Sequence, residues 1–168
     1  MSALKKADAV VGKIFSFLGI ADMAILGIIM AVNVFIRFSG IPILLSWYSE
    51  VVEILFAWMV MIGAVILCRN SAHFRVDLFY QKLGHKRVYY WLEACCYIVA
   101  LVFYLYFLVY SFSLAVNAPQ TMPVLHIPKG YAYACMPLCA VFMCIYTVRD
   151  IAKAVQRALG KLPIDQKA

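Results

Sequence analysis

The sequence predicts an all-α integral membrane protein with four transmembrane helices, additional interfacial amphipathic helices, and both termini in the cytoplasm. Three observations predict this fold class. Apolar residues are concentrated in four long stretches, few charges interrupt them, and basic residues cluster on one side of the membrane that they would cross. Of all residues, 66% are hydrophobic and 14% are charged, whereas a soluble domain is nearer half apolar and a quarter charged.

The four predicted spans cover about residues 14–36, 51–68, 91–116 and 130–148 of a single domain, residues 1–168. A helix rises about 1.5 Å per residue, so roughly 20 apolar residues cross a hydrocarbon core about 30 Å thick. The only charged residue within the first span is Asp22, and the last span contains none. The first span is too long for the apolar region of a signal peptide and is followed by no small-residue cleavage site.

The basic residues predict the orientation of the spans. Thirteen of the 15 Lys and Arg residues precede span one, lie between spans two and three, or follow span four. Only Arg37 and Lys129 lie on the other side. Because cytoplasmic loops are enriched in Lys and Arg, the side with thirteen is predicted to be cytoplasmic. The net charge of +7 is therefore a topology signal, and no nucleic-acid partner is expected.

Two segments outside the spans are predicted to form interfacial helices that contact phospholipids. Residues 42–50 begin at a proline, which suits the first turn of a helix, and carry Trp47 and Tyr48 as interfacial anchors. Residues 73–84 place four apolar side chains on one helical face, with basic residues lying away from it. These four are Val76, Phe79, Tyr80 and Leu83.

The second outer loop, residues 117–130, contains Pro119, Pro123 and Pro128. Because proline fixes φ and disfavours helix at the preceding residue, this loop is predicted to be stiff, extended and non-helical. The chain shows no internal repeat, which a self-sufficient carrier commonly has.

Ionisable residues at membrane depth are candidates for function. Asp22 is predicted to pair with a basic residue of the middle loop or with a partner subunit, to lie near the interface, or to take part in proton transfer. Glu50 and Glu53 are three residues apart and so share a helix face. Because Arg37 closes span one at the same depth, it is predicted to pair with one of these glutamates and to hold the first two spans together.

No catalytic residue, cofactor or metal site is predicted. His73 and Asp77 have the i, i+4 spacing of metal ligands, but with three histidines in the chain a hydrogen-bonded pair is favoured. No span contains a histidine that could ligate haem. Cys135 and Cys139 lie inside span four, whereas a disulfide oxidoreductase needs reactive cysteines at the outer face. These observations leave an accessory or scaffold subunit of a membrane complex, and an accessory subunit or assembly factor of an unrelated membrane enzyme stays open beside it.

The segment SWYSEVVEILFAWMVMIGAVILCRNSAHFRVDLF, residues 46–79, carries Trp, Glu, a Trp-centred apolar span, Gly-Ala, Arg, His and Val-Asp in that order. The residues concerned are Trp47, Glu50, Trp58, Gly63, Ala64, Arg69, His73, Val76 and Asp77. The stretch VFIRF places Arg37 at the end of the first span. This order and spacing resembles the signature region of the small membrane subunit, the DctQ type, of tripartite ATP-independent periplasmic (TRAP) transporters. Ser49 and Val65 depart from the family pattern.

The resemblance implies a non-catalytic scaffold in the bacterial cytoplasmic (inner) membrane. Its partners would be a large TRAP membrane subunit and a periplasmic substrate-binding protein. The complex would import an organic acid, of the sialic acid or C4-dicarboxylate type, by sodium-coupled transport. Since Lys129 and Arg37 are the basic residues on the outer side, Lys129 is predicted to contact the binding protein.

Overall fold

A computed structural model describes residues 2–39, 47–70 and 87–159 of the protein. Within them lie the helices α1 (Ser2–Phe38), α2 (Tyr48–Arg69), α3 (Arg87–Asn117), α4 (Gly130–Tyr133) and α5 (Cys135–Ala158). Four spans, Asp8–Phe38, Tyr48–Arg69, Tyr90–Asn117 and Gly130–Ala158, are long and apolar enough to cross a membrane. The all-α, four-span architecture predicted from the sequence is therefore confirmed.

The helices continue past the predicted spans into polar sequence. The clearest case is α5, which extends beyond residue 148 to Ala158. Its last turns are amphipathic, and the buried Ala154 packs against Ala94 and Tyr97 of α3. Half-apolar turns of this kind are stabilised by packing on one face, and a search for continuous apolar sequence does not detect them.

The predicted interfacial helices fall largely outside the described residues. Residues 73–84 and 42–46 lie beyond the described ranges. Residues 48–50, which were predicted to end the first interfacial helix, instead form the first turn of α2.

The helices pack side by side, with α2 and α5 in the middle. The most extensive contact joins α3 to α5, followed by α1 with α2 and α2 with α5. Spans that are consecutive in the sequence run antiparallel, so the start of α1, the end of α2, the start of α3 and the end of α5 share one end of the bundle. The main core combines apolar, aromatic and thiol groups: Phe15, Ile62, Val65, Cys68, Ala100, Tyr104, Cys139, Met143 and Tyr146.

The last span is interrupted at Ala134, between α4 and α5. Pro137 explains the interruption, because it has no N–H to donate to the carbonyl four residues earlier and its ring clashes with that carbonyl. Ala134 keeps right-handed helical torsions, with φ −61° and ψ −23°. The span therefore continues in the same direction through the break.

The loop from residue 118 to 129 is non-helical, as the prolines predicted, but it folds back on itself and is not extended. Thr121 and Pro128 form an isolated antiparallel bridge. Inside it, the Met122 N–H donates to the Ile127 carbonyl at 2.9 Å, and the His126 N–H donates to the Met122 carbonyl at 3.0 Å. His126 closes the turn in the left-handed region, with φ 54°. The Met122 side chain is fully buried and fixes the loop against the bundle.

Candidate functional site

The Glu50 site lies at the start of α2, at the end of the bundle that also carries the folded loop. The Glu50 carboxylate is buried. One of its oxygens accepts the Val124 N–H at 2.9 Å and the other accepts the Leu125 N–H at 2.8 Å. Glu50 is also in the first turn of its helix, where a negative charge is favourable. Hydrogen bonds to an ionised group are stronger than neutral ones, so this site holds the loop to α2.

The predicted pairing of Arg37 with Glu50 or Glu53 is wrong. Among the described residues, the ion pairs do not include Arg37, which is exposed in the last turn of α1. Glu53 is exposed as well. Glu50 instead faces inward to the loop, and its oxygens are occupied by main-chain donors. The sequence could not show this, because the spacing of the charges does not reveal that the loop folds back over α2.

The opposite end of the bundle carries the Asp8 cluster, which consists of Asp8, Arg69, Arg149, Asp150 and Lys153. Arg69 at the end of α2 donates to both carboxylate oxygens of Asp8, at 3.4 and 3.3 Å. The Arg149 guanidinium donates to the Arg69 carbonyl at 2.7 Å and to Asp150 at 2.9 Å. It also lies 3.9 Å from Asp8. Lys153 reaches Asp150 at 3.6 Å. The cluster connects α1, α2 and α5 through charged groups.

Two neighbouring groups shape the Asp8 cluster. A Cβ added at Gly12 would overlap the Arg69 guanidinium, so the glycine leaves the space through which Arg69 reaches Asp8. The Arg149 guanidinium lies 5.0 Å from the centre of the Tyr146 ring, within the range of a cation–π contact. Arg149 is therefore positioned by an aromatic ring in addition to its hydrogen bonds.

Asp22 lies in the α1 span and is only 9% exposed. Its Oδ2 atom is buried and has no hydrogen-bond partner within the described part of the chain. The nearby Gly19 approaches Ile62 of α2, so this part of α1 packs against an apolar stretch. Pairing and proton transfer by Asp22 both remain predictions.

The other predicted site residues are dispersed. Trp58 packs against the main core, whereas Trp47 is 39% exposed just before α2. A Cβ at Gly63 would meet nothing within 4 Å, so packing inside this chain does not require the glycine. Lys129 is partly buried, and its N–H donates to the Gln120 carbonyl at 2.9 Å.

His73 and Asp77 lie outside the described residues, and their pairing stays a prediction. Four members of the Asp8 cluster were not singled out from the sequence: Asp8, Arg149, Asp150 and Lys153. Asp8 is the only acidic residue among the basic residues before span one, and that isolated opposite charge was the available signal.

Among the described residues, no group of three or more His, Cys, Asp or Glu side chains is placed to hold a metal ion.

This arrangement is that of a small integral membrane subunit, a four-span bundle whose helices are connected by polar contacts at both ends. The chain belongs to the DctQ component of the tripartite ATP-independent periplasmic transporters, since the model of that family matches residues 26–157. A comparison with curated proteins gave no match. The protein is thus a multi-pass inner-membrane component of a tripartite complex with a large membrane subunit and a periplasmic binding protein.

Proposed function

We propose that the chain is the non-catalytic scaffold subunit of a sodium-coupled TRAP transporter. In this role it supports the large membrane subunit, which would carry the substrate and sodium sites. The substrate would be an organic acid of the sialic acid or C4-dicarboxylate type, delivered by the periplasmic binding protein. The observation that carries the proposal is the family match over residues 26–157.

The packing of the bundle favours a scaffold role for this chain over the role of a carrier. The main core is filled by apolar, aromatic and thiol side chains. Of the buried serine and threonine hydroxyls, Ser111 donates to the Leu108 carbonyl at 3.2 Å and Thr147 donates to the Met143 carbonyl at 2.8 Å. Both bonds stay within one helix. A path for an organic anion would need polar groups that face a shared cavity, and these two face their own backbone.

The proposed orientation places the Asp8 cluster at the cytoplasmic face and the Glu50 site at the periplasmic face. The charges support it, because Arg69, Arg149, Lys153 and Arg157 all lie near the first of these ends. The folded loop would then project into the periplasm, where the binding protein docks. Apolar side chains exposed on the spans would contact phospholipid.

Reconstitution tests this function. Proteoliposomes would contain this chain alone, the large subunit alone, or both, each with the binding protein outside and an inward sodium gradient. Uptake of labelled sialic acid and of a labelled C4-dicarboxylate is expected only with both membrane subunits, and only for one substrate. Replacing sodium by potassium should abolish it. Uptake by this chain alone would overturn the scaffold role, and full uptake in potassium would overturn sodium coupling.

A further inference from the structure

Four hydrogen-bonding residues form a stripe along the exposed side of α3: Tyr106, Tyr110, Ser113 and Asn117. Their spacing of four, three and four residues keeps them on one helical face. All four are exposed, Tyr106 by 61% and Tyr110 by 70%. The residues of α3 that are buried against the bundle lie on the opposite face: Tyr90, Ala94, Tyr97, Ala100, Tyr104 and Ser111.

The two tyrosines of the stripe lie deep in the predicted hydrocarbon layer. The uncharged stretch of α3 runs from residue 94 to 116, and its midpoint is Leu105. Tyr106 is therefore about 1.5 Å from the midpoint along the helix and Tyr110 about 7.5 Å. Helical side chains incline toward the N-terminus of their helix, which here is toward the membrane centre. The Tyr110 hydroxyl is thus directed away from the nearer headgroups.

A phenol hydroxyl at this depth needs a hydrogen-bond partner, because lipid tails provide none. Within the described part of the chain, the hydroxyls of Tyr106 and Tyr110 make no hydrogen bond. Their rings stack on each other with centres 6.4 Å apart. The exposed side chains of α1 between Ile14 and Phe35 are all apolar, as are those of α5 between Leu138 and Val148. Those two apolar faces are suited to contact with lipid tails, whereas the α3 stripe carries hydroxyl groups that lipid tails cannot satisfy.

We propose that the α3 stripe binds a transmembrane helix of the large membrane subunit, which supplies hydrogen-bond partners to Tyr106 and Tyr110. Leu105, Tyr106, Val109 and Tyr110 line a shallow hollow of about 220 Å³. Such a hollow accepts an apolar side chain of a neighbouring helix, since helices pack by fitting side chains into the grooves of the partner. Ser113 and Asn117 continue the contact outward, where the Asn117 amide donates to the Ser113 hydroxyl at 3.2 Å. This inference rests on the proposed function.

Photo-crosslinking in native membranes tests the position of the interface. A benzophenone amino acid would replace Tyr106 or Tyr110 in the chain co-expressed with its large subunit. The matched controls are Phe112, which is 61% exposed on another side of α3, and Phe35, which is 71% exposed on α1. Adducts with the large subunit are expected from the two tyrosine positions and not from the controls.

Removal of the hydroxyls tests the hydrogen bonds separately. The double variant Y106F/Y110F keeps both rings, and the fraction of large subunit that co-purifies in mild detergent should fall about threefold to tenfold. The control Tyr131→Phe removes a phenol that is 66% exposed near the start of the last span, and co-purification should not change. Unchanged co-purification of the double variant would overturn the hydrogen-bonding role.

The outcomes distinguish this inference from the function on which it rests. The proposal that the α3 stripe binds the large subunit is overturned if Tyr106 and Tyr110 give lipid adducts, adducts with a second copy of this chain, or no adducts. If the large subunit still co-purifies in those cases, the proposed function stands and the interface lies elsewhere. If the large subunit never co-purifies with the unaltered chain, the proposed function itself fails.

Discussion

Leu125 donates its backbone N–H to the Glu50 carboxylate at 2.8 Å, although 75 positions separate the two residues. Val124 donates to the other oxygen at 2.9 Å. A single buried side chain of α2 therefore fixes the turn between the last two spans. The interaction uses main-chain donors, so it depends on the path of the loop and not on its side chains.

Replacement of Glu50 should lower the free energy of unfolding, by an amount that depends on how many acceptor oxygens the new side chain keeps. Glu50→Gln keeps one carbonyl acceptor and should cost about 1–2 kcal/mol, whereas Glu50→Ala removes both and should cost about 2–4 kcal/mol. Thermal unfolding of the purified subunit in detergent measures both. The control Glu53→Gln changes an exposed glutamate one turn away and should stay within about 0.5 kcal/mol. Equal effects at the two positions would contradict the role of the Glu50 site.

Arg149→Lys should destabilise the Asp8 cluster by about 1–2 kcal/mol despite the conserved charge. The guanidinium of Arg149 donates in different directions, to the Arg69 carbonyl and to Asp150, and an ammonium group cannot reproduce this planar geometry. The loss is modest because Arg149 is 30% exposed and solvent screens its charge. Lys153→Arg is the control and should change stability by less than about 0.5 kcal/mol. If the Arg149→Lys variant unfolds at the same temperature as the parent protein, the directional bonds contribute nothing to stability.

Gly130→Ala should destabilise the protein by about 1–3 kcal/mol. A Cβ at this position would lie 2.6 Å from the Ala115 carbonyl oxygen, so α4 would have to move away from α3. The matched control is Gly27→Ala, whose Cβ would meet nothing within 4 Å. That change should be neutral or stabilise the helix by up to about 1 kcal/mol. The same unfolding assay compares them, and a harmless Gly130→Ala would show that the two helices are not in close contact.

Asp22→Asn should leave the stability of the isolated subunit unchanged or raise it by about 1 kcal/mol. The carboxylate is buried with Oδ2 unpaired among the described residues, and an amide of similar size removes the cost of burying a charge. The reverse change, Asn33→Asp on the same helix, should be destabilising. A clear loss of stability in Asp22→Asn would show that the carboxylate has a partner in the residues beyond the described ranges.

Lys129→Glu should slow docking of the binding protein about twofold to tenfold at low salt, because rim charges act mainly on association rates. Transport by the complete complex should then fall at limiting binding protein and recover when the binding protein is in excess. Lys13→Glu changes an exposed lysine at the opposite end of the bundle and serves as the control. Transport that stays at the parental rate with limiting binding protein would remove Lys129 from the docking surface.

The sequence predicts the four spans well, because the exclusion of charge from about 20 residues is a local property of the chain. It predicts the polar contacts poorly, because these depend on how helices are rotated and on where loops return. The sequence places Arg37 and Glu50 at the same depth. In the structure, however, the buried Met122 holds the loop where its amides, and not Arg37, donate to Glu50. Asp8 reaches Arg69 only because α1 begins well before the predicted span. The sequence predicts how deep in the membrane a charged residue lies, but it does not predict which residue becomes its hydrogen-bond or ion-pair partner.

The loop is attached to Glu50 through main-chain amides, which leaves its side chains available for the docking proposed above. Residues 123–126 can exchange side chains without losing either acceptor at Glu50, provided that His126 is replaced by a residue that tolerates a positive φ, such as Asn or Gly. The transmembrane framework and the proposed docking surface are thereby separable. Under the proposed docking, residues 123–126 of another member of the family, grafted with the buried Met122 kept in place, should redirect the subunit to that member's binding protein.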